Sequence, residues 1–159
     1  MAGQKFRGHG LSNVDPKGRL SVPAAYRQAI EARGGGREML ISKHPDVPCI
    51  VCYDRLYEEE RDTDLKAQRT IELNRGDNKS ANVRQRGIYS TSLQISWDPS
   101  GRIILPDYLR DRANITTAGL FVGVGDTFEI WDLETARDQQ EDDELRELAA
   151  YFLRKAAQA

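Results

Sequence analysis

The chain predicts an α+β fold, mainly β, made of two tandem copies of one small unit that share a core and carry flanking helices. Three observations predict it. The stretch Asp15-Pro16-Lys17-Gly18-Arg19-Leu20-Ser21-Val22-Pro23-Ala24-Ala25-Tyr26-Arg27 returns 83 residues later as Asp98-Pro99-Ser100-Gly101-Arg102-Ile103-Ile104-Leu105-Pro106-Asp107-Tyr108-Leu109-Arg110, with six of thirteen positions identical. An internal repeat of this kind sets the architecture before any single element does. Apolar residues alternate with polar ones on both sides of each Asp-Pro-x-Gly, as in strands with one buried face. Helical spacing appears only after the strands, between the copies and at the C-terminus.

Each unit can be built from its residues. Asp-Pro-x-Gly suits a type I turn: Asp accepts local N–H groups, Pro presets φ at the second position, and Gly takes the fourth. Leu93, Ile95 and Trp97 alternate with Gln94 and Ser96 before the second turn, and Ile103 and Leu105 alternate with Arg102 and Ile104 after it. That pattern predicts a β-hairpin. In the first copy Leu20 and Val22 point inward and Arg19 and Ser21 outward, after a weaker leading strand from Gly10 to Val14. Pro23 and Pro106 then end the strand and open a helix at its first position, where a missing N–H costs little. Asp15, Gly18, Asp98 and Gly101 are thus turn-fixing residues, and Arg19 and Arg102 stand just past the turns on the polar face.

The helix from Pro23 to Arg33 turns Tyr26, Ala29 and Ile30 to one side and stops at Gly34-Gly35-Gly36. Met39-Leu40-Ile41 and Cys49-Ile50-Val51-Cys52-Tyr53 read as buried strands. Leu120-Phe121-Val122 and Phe128-Glu129-Ile130-Trp131 answer them in the second copy. Asp54 and Asp132 read as N-caps of following helices. Arg55 to Arg75 is polar and helix-favouring, and Gly76 to Ser80 breaks it. Lys79, Arg84 and Arg86 form an acid-free stretch that fits either a second basic contact or a plain linker. Leu145, Leu148 and Phe152, with Ala149, Leu153 and Ala156, give a C-terminal amphipathic helix. The expected divisions are a first repeat at 9–56, a helical and basic segment at 57–92, a second repeat at 93–136 and the C-terminal helix at 137–159. Units this small bury little surface alone, so the halves are expected to share one core.

Bulk properties narrow the function. The chain has 159 residues, 39% hydrophobic and 30% charged, with a formal net charge of −2. That charge is uneven. Residues 5–27 hold five basic residues (Lys5, Arg7, Lys17, Arg19, Arg27) against Asp15, whereas residues 126–147 hold ten acids against Arg137 and Arg146. The asymmetry suggests a basic binding face and an acidic, solvated or partner-facing end. No run is long enough to span a membrane and there is no charged-then-apolar leader, so a cytoplasmic protein without a membrane partner is expected.

Catalytic chemistry finds no support. Cys49-x-x-Cys52 lies on a strand, where positions three apart face opposite ways, and no second ligand pair exists, so buried structural cysteines are expected rather than a metal or redox site. His9 and His44 are the only histidines and fit no nucleophile constellation. The acid runs at Glu58-Glu59-Glu60 and Asp142-Asp143 read as solvent faces. The glycines from Gly119 to Gly125 lack the Lys-Ser/Thr of a phosphate loop. No enzyme, cofactor or metal is expected. Recognition remains, and an arginine held on a rigid turn suits DNA, because it is always charged and bonds phosphate or guanine in a bidentate way. Arg19, with Lys17, Arg7 and Lys5, is the expected DNA-binding face. Arg102 is its counterpart, but Ser100 replaces Lys17 there, so the second repeat is expected to be mainly structural.

The repeated D-x-x-G-R-x-x-x-P unit, opened by Phe6-Arg7-Gly8 and closed by Phe128-Glu129-Ile130-Trp131-Asp132, resembles the MraZ family of bacterial transcriptional regulators, whose members carry two SpoVT/AbrB-type domains in one chain. The resemblance implies a swapped-hairpin barrel with pseudo-two-fold symmetry, one repeat standing for each subunit of an AbrB-type dimer. It also implies a nucleoid-associated repressor that binds repeated promoter boxes in double-stranded DNA upstream of its own operon, the division and cell-wall cluster, as a homo-oligomeric ring. The alternative is an AbrB-like antitoxin or interaction scaffold whose acidic C-terminal helix captures a protein partner.

Overall fold

The computed structural model describes residues 4–158. Strands β1 (His9–Asn13) and β2 (Arg19–Ser21) flank the first turn, and β5 (Leu93–Ser96) and β6 (Arg102–Ile104) flank the second. Each pair is followed by a short helix, α1 (Ala24–Ala32) or α4 (Asp107–Arg112), and by two more strands. These are β3 (Glu38–Lys43) and β4 (Ile50–Tyr53) in the first copy, β7 (Ala118–Gly123) and β8 (Phe128–Trp131) in the second. An α+β architecture with antiparallel strands results.

The strand pairing departs from simple hairpins. Each turn is closed by a backbone bond, from Asp15 N–H to the Arg19 carbonyl and from Asp98 N–H to the Arg102 carbonyl, both 2.9 Å. Beyond that bond the flanking strands separate. β1 pairs with β7 and β5 with β3, so each leading strand joins the other copy. β2 pairs with β6 in a two-stranded ribbon, and β4 pairs with β8. The larger sheet runs β1-β7-β8-β4-β3-β5, an order that reads the same when the copies are exchanged. The ribbon register centres on Leu20 opposite Ile103, both 1% exposed. Pairing across the copies is what lets these two residues bury each other in a common core. The sheet stays open, with β1 and β5 as its edges, so the barrel closure implied by the resemblance is absent. The three-residue strands β2 and β6 make their own ribbon instead of bridging the edges.

The core lies on one face of the sheet. Phe6, Tyr26, Phe121 and Phe128 pack there, with the Tyr26 and Phe128 rings 4.6 Å apart and the Tyr26 hydroxyl donating to the Gly8 carbonyl. A second apolar cluster lies on the other face, where Cys49, Leu120 and Trp131 meet α5 (Leu133–Arg137) and α6 (Asp143–Ala157) through Ala136, Leu145 and Ala149. Cys49 and Cys52 therefore belong to different clusters. The C-terminal stripe folds back on its own chain.

Local details correct the sequence reading. Pro23 and Pro106 are N-caps with ψ of 136° and 139°, one residue earlier than expected, since the strand-like ψ lets the chain leave β2 and β6 before turning helical. Leu93 is 45% exposed rather than inward, because β5 is an edge strand and its first residue overhangs the core. Asp54 and Asp132 do cap helices, accepting from Tyr57 N–H and Thr135 N–H. Between the copies, α2 (Arg55–Asn74) and α3 (Asn78–Tyr89) form a helical pair, and the break between them is shorter than expected. Gly76, at φ 74°, reverses the chain and Asp77 caps α3 by accepting from Ser80 N–H. Arg84 of α3 pairs with the buried Glu72 of α2.

Candidate nucleic-acid interface

The two turns repeat each other bond for bond. Asp15 Oδ1 accepts from Lys17 N–H at 2.9 Å and Arg19 N–H at 2.8 Å, and Asp98 Oδ1 accepts from Ser100 N–H and Arg102 N–H at 2.9 Å each. Gly18 N–H and Gly101 N–H donate to the Asp15 and Asp98 carbonyls at 2.8 Å. The glycines sit at φ 80° and 82°, left-handed values that a side chain would strain. These bonds hold both aspartate carboxyls below their usual range, the backbone N–H of Arg19 and of Arg102 being the largest cause in each.

The arginines past the turns are tethered rather than free. Arg19 Nε donates to Asp15 Oδ2 at 2.7 Å, and Arg102 Nε donates to Asp98 Oδ2 at 3.0 Å. Each also approaches the other copy's carboxylate: Arg19 Nη1 lies 3.8 Å from Asp98 Oδ2, and Arg102 Nη1 lies 4.0 Å from Asp15 Oδ2. Strand alternation explains the meeting. Leu20 and Ile103 fill the inner face of the ribbon, so Arg19, Ser21, Arg102 and Ile104 share its outer face.

Two further cations lie beneath the turns, and the sequence did not single them out as site residues. A methyl group at Gly101 would lie 2.6 Å from the Arg27 guanidinium carbon, and one at Gly18 would lie 3.4 Å from Arg110 Nη1. Each helix arginine thus reaches under the other copy's turn, held by its own backbone contacts: Arg27 Nε donates to the Val22 carbonyl, and Arg110 Nε and Nη2 donate to those of Ile115 and Thr116. The signal was present, because the final Arg of the motif is one of its six repeated residues. Lys17 stands exposed at the first tip, where the second copy has the exposed Ser100. Around the paired turns, Arg19 and Arg102 contact Asp15 and Asp98, with Arg27, Arg110 and the exposed Lys17 close by.

Lys5 and Arg7 are not brought to this cluster. They precede β1 while the first turn follows it, so a strand separates them. Lys5 Nζ bonds Asp126 Oδ1 at 2.5 Å, and Arg7 is exposed beside α1. Burial pushes both thiols up, and among the described residues no group of His, Cys, Asp or Glu is arranged to hold a metal. No described helix is long and apolar enough to cross a membrane.

Comparison with known proteins gives the family. A family model described as "MraZ protein, putative antitoxin-like" matches residues 88–154. The "Transcriptional regulator MraZ" of Ruegeria sp. strain TM1040 is 34% identical over 140 residues, covering 84% of this chain and 80% of that protein. The chain belongs to the MraZ family. The MraZ regulators of Acidovorax sp. strain JS42 and Bordetella pertussis strain Tohama I are 32% and 31% identical, over 82% and 86% of this chain and 84% and 89% of theirs. The match to these MraZ relatives extends well beyond the second repeat and C-terminal helix covered by the family model.

Proposed function

We propose that this MraZ-family chain is a sequence-specific DNA-binding transcriptional regulator that acts through the paired turns. One observation carries the reading: both Asp-Pro-x-Gly-Arg turns, drawn from opposite copies, meet on the outer face of one short ribbon with five cations against two carboxylates. Rigid backbone, pre-oriented guanidinium groups and excess positive charge are what phosphate positioning and guanine readout require. Arg19 and Lys17 are the central contacts, Arg102 is a second contact, and Lys5 and Arg7 extend the face along β1. Asp15, Gly18, Asp98 and Gly101 fix the turns. The exchange of strands between copies supports the swapped-hairpin arrangement of SpoVT/AbrB-type repeats, with the ribbon as its axis.

The biological reading goes further. The protein binds repeated promoter boxes upstream of its own division and cell-wall operon and represses it from the nucleoid. One chain offers few contacts, so useful affinity comes from a homo-oligomeric ring whose protomers engage several boxes together. The family model's antitoxin-like description favours one second reading, capture of a protein partner by the acidic C-terminal end. The deciding experiment is fluorescence anisotropy with the DNA upstream of the gene against a scrambled fragment of equal length, over a salt series. Preference for the native fragment that disappears in Arg19→Ala supports the regulator. Equal binding to both fragments with only a steep salt slope overturns it. A stoichiometric foreign protein that co-purifies with the chain and withdraws it from DNA favours the second reading.

A further inference from the structure

Arg19, Arg102, Asp15 and Asp98 make a single unit. We infer that the two arginines form one anion site across the pseudo-two-fold axis, and that each aspartate positions the arginine of the other repeat as well as its own. The inference deepens the DNA-binding reading and rests on it for the identity of the anion, a backbone phosphate. It differs from the sequence expectation, in which the first repeat reads DNA and the second supports it.

The geometry carries this in three steps. Each guanidinium is fixed at Nε by its own repeat's carboxylate, at 2.7 and 3.0 Å, which sets the direction of the Nη groups. Each Nη1 then lies 3.8 or 4.0 Å from the opposite carboxylate, close enough to be attracted and too far for a hydrogen bond. The terminal nitrogens are therefore aligned without being consumed, and phosphate oxygens can take bonds the aspartates do not. Finally, both pairs are only partly exposed, with side chains between 22% and 34% accessible. Coulomb coupling between the two halves is weakened less there than on open surface. Two acids and two arginines cancel, so the four groups rest together without net repulsion. Arg27 and Arg110 beneath the turns leave the surroundings positive. A phosphate arriving at this face meets both guanidinium groups at once. Serine at position 100 removes a tip cation from the second repeat but leaves this shared site intact.

The test separates positioning from plain structure with isosteric changes. Asn at position 98 keeps the Oδ1 acceptor for Ser100 and Arg102 N–H, so the turn survives, while the charge facing Arg19 is lost. In Asp98→Asn the Arg19 Nε–Hε resonance, read by 15N NMR without DNA, shifts along with that of Arg102. Asp15→Asn moves Arg102 in the same reciprocal way. Movement confined to the variant's own repeat overturns the inference. With DNA, the readout is the coupling between the two arginines on the native fragment, because a phosphate contact weakens native and scrambled binding alike. Arg19→Ala and Arg102→Ala each lower native-fragment affinity at least tenfold, and the double variant loses less than the product of the two losses. Losses that simply multiply overturn a shared site. If the wild type shows no DNA preference at all, the DNA reading fails by itself, and the NMR arm still decides whether the repeats are coupled.

Discussion

Asp54→Ala tests the packing that ties the end of α1 to the start of α2. Asp54 is the N-cap of α2 and also the partner of Arg33 at the end of α1. Arg33 Nε donates to Asp54 Oδ2 at 2.5 Å and Nη2 to Oδ1 at 3.2 Å, with the side chains 2% and 1% exposed. The ring of Phe6 covers the guanidinium, and Nη1 donates to the Gln4 carbonyl. Removing one partner of such a pair strands a buried charge, a cost of about 3–5 kcal/mol. Loss of the cap to Tyr57 N–H adds ~0.5–2 kcal/mol, partly overlapping because Oδ1 serves both contacts. A total of roughly 4 kcal/mol is expected, a large part of a typical 5–15 kcal/mol stability. Urea unfolding at fixed protein concentration, followed by circular dichroism and tryptophan fluorescence, reads this as a midpoint lowered by about 2 M with the slope unchanged. Asp54→Ser with Arg33→Met keeps a cap and replaces the ion pair with apolar volume against Phe6, and is expected to recover most of the loss. A single variant within about 1 kcal/mol of wild type, or a double variant no better than the single, refutes the reasoning.

Three further outcomes are expected. Gly18→Ala and Gly101→Ala both force an L side chain into the left-handed region, each costing about 1–2 kcal/mol in thermal or urea unfolding. Only Gly101→Ala also displaces Arg27, so DNA affinity falls further there than in Gly18→Ala. Asp15 and Asp98 have lowered carboxyl values in the fold, so the unfolded chain binds protons first. Their stabilisation is full above an unfolded value near 4 and is lost as pH falls through the lower folded values. Unfolding midpoints therefore drop as pH falls below about 4, less steeply in the Asp15→Asn, Asp98→Asn double variant; equal slopes contradict the assignment. Cys49 and Cys52 are buried with raised thiol values, so neither reacts with a thiol reagent within minutes in the native protein and both react in denaturant.

What could be read in the sequence was local. Asp15 and Gly18 announce their turn because the hydrogen bonds that close it lie within four residues, and the same holds for the bonds that close the turn at Asp98 and Gly101. The alternation of Leu20, Val22, Ile103 and Leu105 gives the buried face directly. Nothing in β1 says that it pairs with β7 rather than with β2, because one turn can serve either arrangement. That choice is made by the shared core, where Leu20 needs Ile103 from the other copy. The candidate site shows the same division. Charge and turn position single out Arg19 and Arg102, but their ion pairs with the opposite aspartates depend on the cross-copy ribbon. Arg27 and Arg110 were visible as repeated residues, yet only the fold puts each beneath the other copy's turn. Lys5 and Arg7 lie close to the first turn in number, and only the fold shows that the length of β1 stands between them and it.

The central claim is that DNA lies on the paired turns. It is tested most directly by site-specific photo-cross-linking, made feasible by the burial of both native cysteines. A photoreactive label is attached to Ser100→Cys at the exposed second tip, or to Glu59→Cys on the exposed side of α2, and each protein is irradiated with the native upstream fragment. The account predicts cross-linking from position 100, suppressed by unlabelled native fragment but not by scrambled DNA, and little from position 59. Cross-linking from position 59 with none from position 100 would contradict it.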